Sequence, residues 1–72
     1  STQIGFDLPD PVHVKIEIYD LLGHKIRTLI NKRMAPGYHE VEFRPESLPP
    51  GVYFFLIEAG TYKDTQKMIL MR

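Results

Sequence analysis

The sequence contains neither cysteine nor tryptophan. The lack of cysteine excludes disulfides and thiolate metal sites. Small secreted domains often rely on disulfides, so this absence favours a cytosolic chain while leaving export open. Neither sign of charge is in excess, because nine basic and nine acidic side chains cancel. A nucleic-acid binder normally carries a basic surplus gathered on one face, so the balance argues against one. A long apolar run is also missing. The longest, Val52-Tyr53-Phe54-Phe55-Leu56-Ile57, has the length of a strand and falls far short of a membrane span. Ser1 to Asp10 shows neither the basic start nor the apolar stretch of a signal peptide. No helical period longer than a turn is present.

What is there is alternation. In a chain of 72 residues with 43% apolar content, one small core is all that can form. Ile4, Phe6 and Leu8 alternate with polar or small residues until Pro9-Asp10-Pro11 ends the pattern. Val12, Val14, Ile16 and Ile18 then alternate with His13, Lys15, Glu17 and Tyr19, the cleanest strand pattern of the chain. Asp20-Leu21-Leu22-Gly23 reads as a hairpin turn closed by a left-handed glycine. Pairing Asp20 with His24 predicts Ile18 opposite Ile26, Val14 opposite Ile30 and Glu17 opposite Arg27, with a third strand from about His24 to Asn31. Asn31–Gly37 reads as a polar connection ending in a Pro-Gly turn. His39, Val41 and Phe43 then face the core from a fourth strand. A proline-rich loop, Arg44 to Pro50, crosses to the other sheet with Leu48 as its apolar plug.

The fifth strand is the aromatic and β-branched run itself, entered through Pro49-Pro50-Gly51. Gly60 sits at the first central position of a type II′ turn, Ala59-Gly60-Thr61-Tyr62, and the last strand runs from Tyr62 to Met71. That turn sets Glu58 opposite Lys63, Phe54 opposite Lys67, Val52 opposite Ile69, Tyr53 opposite Met68 and Phe55 opposite Gln66. Because Glu58 and Lys63 belong in water, Tyr53, Phe55 and Ile57 point into the core. Val52, Phe54 and Leu56, with Ile69 and Met71 of the last strand, then form an apolar strip on the outer face, which marks a contact surface. The pattern predicts an all-β fold, a small antiparallel β-sandwich of six to seven strands.

Chemistry-bearing groups are dispersed. His13, His24 and His39 show no metal-ligand spacing. Glu40 and Glu42 share an exposed strand face, where alternating glutamates serve solubility and edge protection. A glycosidase pair needs a cleft, for which a sandwich this small has little volume. Asp7 and Asp10 lie near a loop without the dense acidic pattern of a calcium site. Ser1 and Ser47 lack a nucleophile elbow, and no glycine-rich phosphate loop occurs. The residues therefore predict a non-enzyme without metal or cofactor. Tyr19, Tyr38, Phe54 and Tyr62 could stack on sugars, but strand aromatics more often pack across strands.

The motifs Ser-Thr-x-Ile-x-Phe-x-Leu-Pro (1–9) and Val-x-Ile-x-Ile-Tyr-Asp-x-x-Gly-x-x-Ile-x-x-Leu (14–29) open a longer correspondence. Ala-Pro-Gly-Tyr-His-x-Val-x-Phe (35–43), Leu-Pro-x-Gly-Val-Tyr-Phe (48–54) and Lys-Met-Ile-Leu-Met-Arg (67–72) complete it. Together they resemble the C-terminal sorting domain of the type IX, or Por, secretion system. The resemblance implies an immunoglobulin-like sandwich at the C-terminus of a larger exported protein, sent through the periplasm to the outer membrane, cell surface or extracellular space. Its implied partners are the secretion translocon, a sortase-like peptidase and an upstream cargo domain in the same chain, with no nucleic acid and no membrane insertion. Leu56 departs from relatives, which often carry a polar residue there. The abrupt ends of the chain, each beside a strand pattern, fit a single domain (1–72) cut from such a protein. The same pattern also resembles flagellar-hook-cap immunoglobulin-like domains and hydrolase-appended accessory domains, for which the role is structural, assembly-related or carbohydrate-binding.

On the sorting reading, the recognition residues are Val52, Phe54, Leu56, Lys63, Lys67, Ile69, Met71 and Arg72. Asp20, Gly23, Gly37, Gly51 and Gly60 form the structural turns.

Overall fold

A computed structural model describes residues 2–44 and 48–71. Six strands account for about three quarters of them: β1 (Thr2–Leu8), β2 (Val12–Asp20), β3 (Lys25–Met34), β4 (Gly37–Phe43), β5 (Gly51–Ala59) and β6 (Tyr62–Leu70). All pairings are antiparallel. β1 and β4 form one sheet, and β3-β2-β5-β6 form the other in that spatial order. The polypeptide changes sheet between β4 and β5, as the proline-rich crossing predicts. Pro45, Glu46 and Ser47 of that crossing lie outside the described residues. The result is an all-β sandwich consistent with an immunoglobulin-like fold.

The alternating residues of both sheets meet between them. Leu8, Val14, Ile16, Ile18, Phe43, Leu48, Tyr53 and Phe55 are buried. Phe43 of the small sheet meets Phe55 of the large one edge to face, with ring centroids 5.6 Å apart and planes at 89°, a geometry favoured by the aromatic quadrupole. Leu48 is the plug expected of the crossing loop. Tyr53 is buried, yet its hydroxyl donates to the Pro49 carbonyl at 2.6 Å. This bond to backbone four residues upstream fixes the entry to β5, in the manner of a tyrosine corner.

The β5–β6 hairpin has the predicted register throughout, from Ala59 opposite Tyr62 to Val52 opposite Ile69. Gly60 takes φ +63° and no described non-glycine residue has a positive φ, which makes the turn type II′ rather than I′. A side chain there would also meet Val12, 2.8 Å from an added Cβ. Asp20 and Gly23 shape the β2–β3 turn as expected. Gly23 (φ +89°) donates to the Asp20 carbonyl at 3.1 Å, and Asp20 Oδ1 accepts from the N–H groups of Leu22 and His24, both at 2.9 Å. Gly37 opens β4 and Gly51 opens β5.

Two expectations for β3 are corrected. Its register matches the prediction only as far as Tyr19 opposite Lys25. Shifts then fall between Ile18 and Tyr19 and between Ile16 and Glu17, so Ile18 faces Arg27, Glu17 faces Thr28 and Ile16 faces Ile30. Ile26 and Leu29 are the extra residues, the mark of β-bulges on an edge strand. In addition, Asn31 to Met34 continue β3 instead of forming a loop, because the start of β2 (Val12 to Lys15) pairs with them. Their polar character suits an edge strand.

Candidate recognition surface

Because neighbouring strands place paired residues on one face, the outer face of the large sheet can be read in rows. One row is Lys25, Tyr19, Phe54 and Lys67; the next is Thr28, Glu17, Leu56 and Thr65; a third is Asn31, Lys15, Glu58 and Lys63. Val52 opposite Ile69 extends the face beyond the first row. Val52, Phe54 and Leu56 are half-buried, while Ile69 is 61% and Met71 82% exposed. Lys63 and Lys67 are exposed. The structure thus brings Val52, Phe54, Leu56, Lys63, Lys67 and Ile69 to one side of the β5–β6 hairpin, and Met71 follows the end of β6. Arg72, the remaining candidate, lies outside the described residues.

Sequence reasoning missed the centre of this face. Glu17 was expected on the polar side opposite Arg27; it is instead only 5% exposed. Arg27 points elsewhere, its guanidinium 5.7 Å from the centroid of the Phe43 ring. Glu17 is enclosed because β2 is flanked by β3 and β5, so its outward side chain is covered from both sides. Its carboxylate accepts the Tyr19 hydroxyl at 2.9 Å and lies 3.3 Å from Lys25 Nζ and 3.8 Å from Lys15 Nζ, with the Thr28 hydroxyl at 3.5 Å. Lys15 also reaches Glu58 at 3.4 Å. Burial pushes the Glu17 carboxyl up, but the Tyr19 and Lys25 hydrogen bonds and the nearby ammonium charges outweigh it and hold the group below its ordinary value. The Glu17 charge, with Glu58 behind it, raises Lys15, and the hydrogen bond to Glu17 raises Tyr19. The i,i+2 spacing of Lys15, Glu17 and Tyr19 was the available signal, since it puts all three on one face.

The opposite outer face, on the small sheet, differs in sign. Gln3, Gly5 and Asp7 of β1 lie beside Glu42, Glu40 and Tyr38 of β4. Tyr38 is 62% exposed and its ring covers Gly5. Arg44 pairs with Glu42 at 2.8 Å. The histidines have separate local partners: His13 bonds Asn31, His24 lies 3.4 Å from Asp20, and His39 Nε2 lies 2.7 Å from the Ala35 carbonyl. The Asp20 carboxyl is held below its ordinary value, first by the His24 backbone N–H. Among the described residues, no group of three His, Cys, Asp or Glu side chains is placed to hold a metal.

The concavity is larger than the size of the sandwich suggested. A cleft of about 670 Å³ lies between the β1–β2 and β5–β6 turns, lined by Phe6, Leu8, Val12 and Tyr62, with Asp7 and Asp10 also in its wall. Among the described residues, no histidine, lysine or arginine lines it.

Fold and surface define a small antiparallel sandwich domain that presents two broad faces of opposite character. The sequence matches the family described as the secretion system C-terminal sorting domain over residues 1–71, and the chain belongs to that family. Neither the curated proteins nor the solved structures gave a match. The family consists of sorting signals for type IX secretion and is not a catalytic one. Membership implies export to the cell surface or the extracellular space.

Proposed function

We propose that this domain is a non-catalytic address tag, read by the outer-membrane translocon and by a sortase-like peptidase of the type IX system. It stands at the C-terminus of a larger protein whose upstream part is the cargo, and it reaches its destination by way of the periplasm. The family match over residues 1–71 carries this reading. The surface that is read is the outer side of the β5–β6 hairpin: Val52, Phe54, Leu56, Ile69 and Met71, with Lys63, Lys67 and Arg72. Support comes from the exposure of Ile69 on a regular, well-registered hairpin and of Met71 just beyond it, since apolar side chains gathered on an exposed face favour a contact.

The test is a reporter carried to the periplasm of a host that possesses the type IX system. With residues 1–72 fused to its C-terminus, the reporter is expected in the medium or on the cell surface. Without the domain, or with the domain fused at its N-terminus, it is expected to stay in the periplasm. Periplasmic retention of the C-terminal fusion, with the domain folded, contradicts the reading.

A further inference from the structure

Charge on the two outer faces goes beyond the apolar strip. On the large sheet, Lys25 and Lys67 stand at opposite ends of the row that holds Tyr19 and Phe54, and Lys15 and Lys63 stand in the row of Glu58. Adjacent strands lie about 4.8 Å apart and residues rise about 3.4 Å along each, so the backbone positions of Lys25, Lys67 and Lys63 mark out a patch roughly 14 Å by 14 Å, with Lys15 of β2 along one edge. The carboxylates on this patch are spent internally. Glu17 is enclosed by Lys15, Lys25 and Tyr19, and Glu58 is held by Lys15. Lys63 and Lys67 have no carboxylate within ion-pair distance among the described residues, and both are exposed. The small sheet presents Asp7 and Glu40 on the opposite side of the sandwich, with Glu42 paired to Arg44. A chain with no net charge is therefore electrically polarised across its thickness, and the apolar strip lies on the positive side.

We infer that the surface read in sorting spans the whole outer face of the large sheet, and that its partner is a protein surface presenting carboxylates around an apolar ridge. The inference rests on the sorting function proposed above and specifies its partner. Polarisation of this kind turns the correct face toward an acidic surface and repels the other, which governs encounter and register more than final affinity. The Glu17 cluster prepares the surface. Lys15 and Lys25 are already held by carboxylates in the free domain, so docking orders fewer side chains than it would on a face of unanchored lysines. Lys63 and Lys67 supply the uncompensated charge.

The reporter fusion separates this inference from the reading it rests on. Lys63→Gln/Lys67→Glu is expected to lower the exported fraction at least about tenfold, while Lys63→Arg/Lys67→Arg keeps export near the parent level. Circular dichroism should show both variants folded, since both positions are exposed on an edge strand. Export of the charge-altered variant at the parent level, with Phe54→Ser/Ile69→Ser retained inside, overturns the acidic partner and leaves the reading face in place. Parent-level export of all these variants overturns both. Loss of export in the arginine variant also overturns the inference, because charge would not be what is read. An anionic lipid surface is the rival occupant. Purified domain is expected not to float with phosphatidylglycerol-containing vesicles; salt-sensitive flotation lost in the Lys63→Gln/Lys67→Glu variant contradicts a protein partner.

Discussion

Phe43→Ala is expected to remove a large part of the stability of this domain. Phe43 is fully buried, and its ring joins the two sheets through the edge-to-face contact with Phe55 at 5.6 Å and the Arg27 guanidinium at 5.7 Å. Truncating a buried phenylalanine typically costs about 3–5 kcal/mol, the transfer term plus the cavity left behind. Domains hold roughly 0.05–0.15 kcal/mol per residue, which for 72 residues is about 4–11 kcal/mol in total. The midpoint of thermal unfolding should therefore fall by more than about 12 °C, or cooperative folding should disappear. Phe43→Leu, which keeps most of the volume, should cost far less. A Phe43→Ala midpoint within a few degrees of the parent would show that the contact between the sheets is not where stability resides.

Glu17 should behave as the key of the outer face. Glu17→Ala removes the acceptor shared by Tyr19, Lys15 and Lys25, taking the carboxylate from Lys25 and leaving Lys15 with Glu58 alone. The ammonium groups are partly exposed, with side chains 34% and 55% accessible, so water takes up part of the loss and the expected cost is about 1–2 kcal/mol. Glu17→Leu should fare better than alanine, because leucine would pack against Leu56 across the strands and buried charge clusters often tolerate apolar replacement. The pH dependence has a definite sign. The Glu17 carboxyl is held below its ordinary value, so the folded state favours the ionised form. Its stabilising contribution is complete above the ordinary glutamate value and is lost as pH falls through the lowered one. Chemical denaturation from neutral pH down to about pH 3 should therefore show a shallower acid limb for Glu17→Gln than for the parent. Identical acid limbs would contradict the ion cluster.

The two hairpins show how far the sequence determines such a surface. In β5–β6, one glycine fixes the turn type and no bulge intervenes, so the register counted from the turn holds as far as Val52 opposite Ile69. In β2–β3 the turn was equally legible, but the register failed beyond it. The order Ile26-Arg27-Thr28-Leu29-Ile30 breaks strict alternation, and that irregularity is where Ile26 and Leu29 bulge. Local pattern does not say where an edge strand inserts extra residues, because the gain comes from core packing of Ile16 against Ile30. Glu17 was illegible for a different reason. The i,i+2 spacing puts it on one face with Lys15 and Tyr19, but its burial follows from the strand order β3-β2-β5-β6, which local spacing does not reveal.

The central claim, that one outer face carries the address, is tested most directly by comparing export of the same reporter with substitutions on the two faces. Phe54→Ser/Ile69→Ser alters the large sheet's outer strip, and Glu40→Ser/Glu42→Ser alters the small sheet's outer face, with folding of each checked by circular dichroism. The account predicts that the first variant stays in the periplasm and the second is exported like the parent. Export of the first at the parent level, or retention of the second alone, would contradict it.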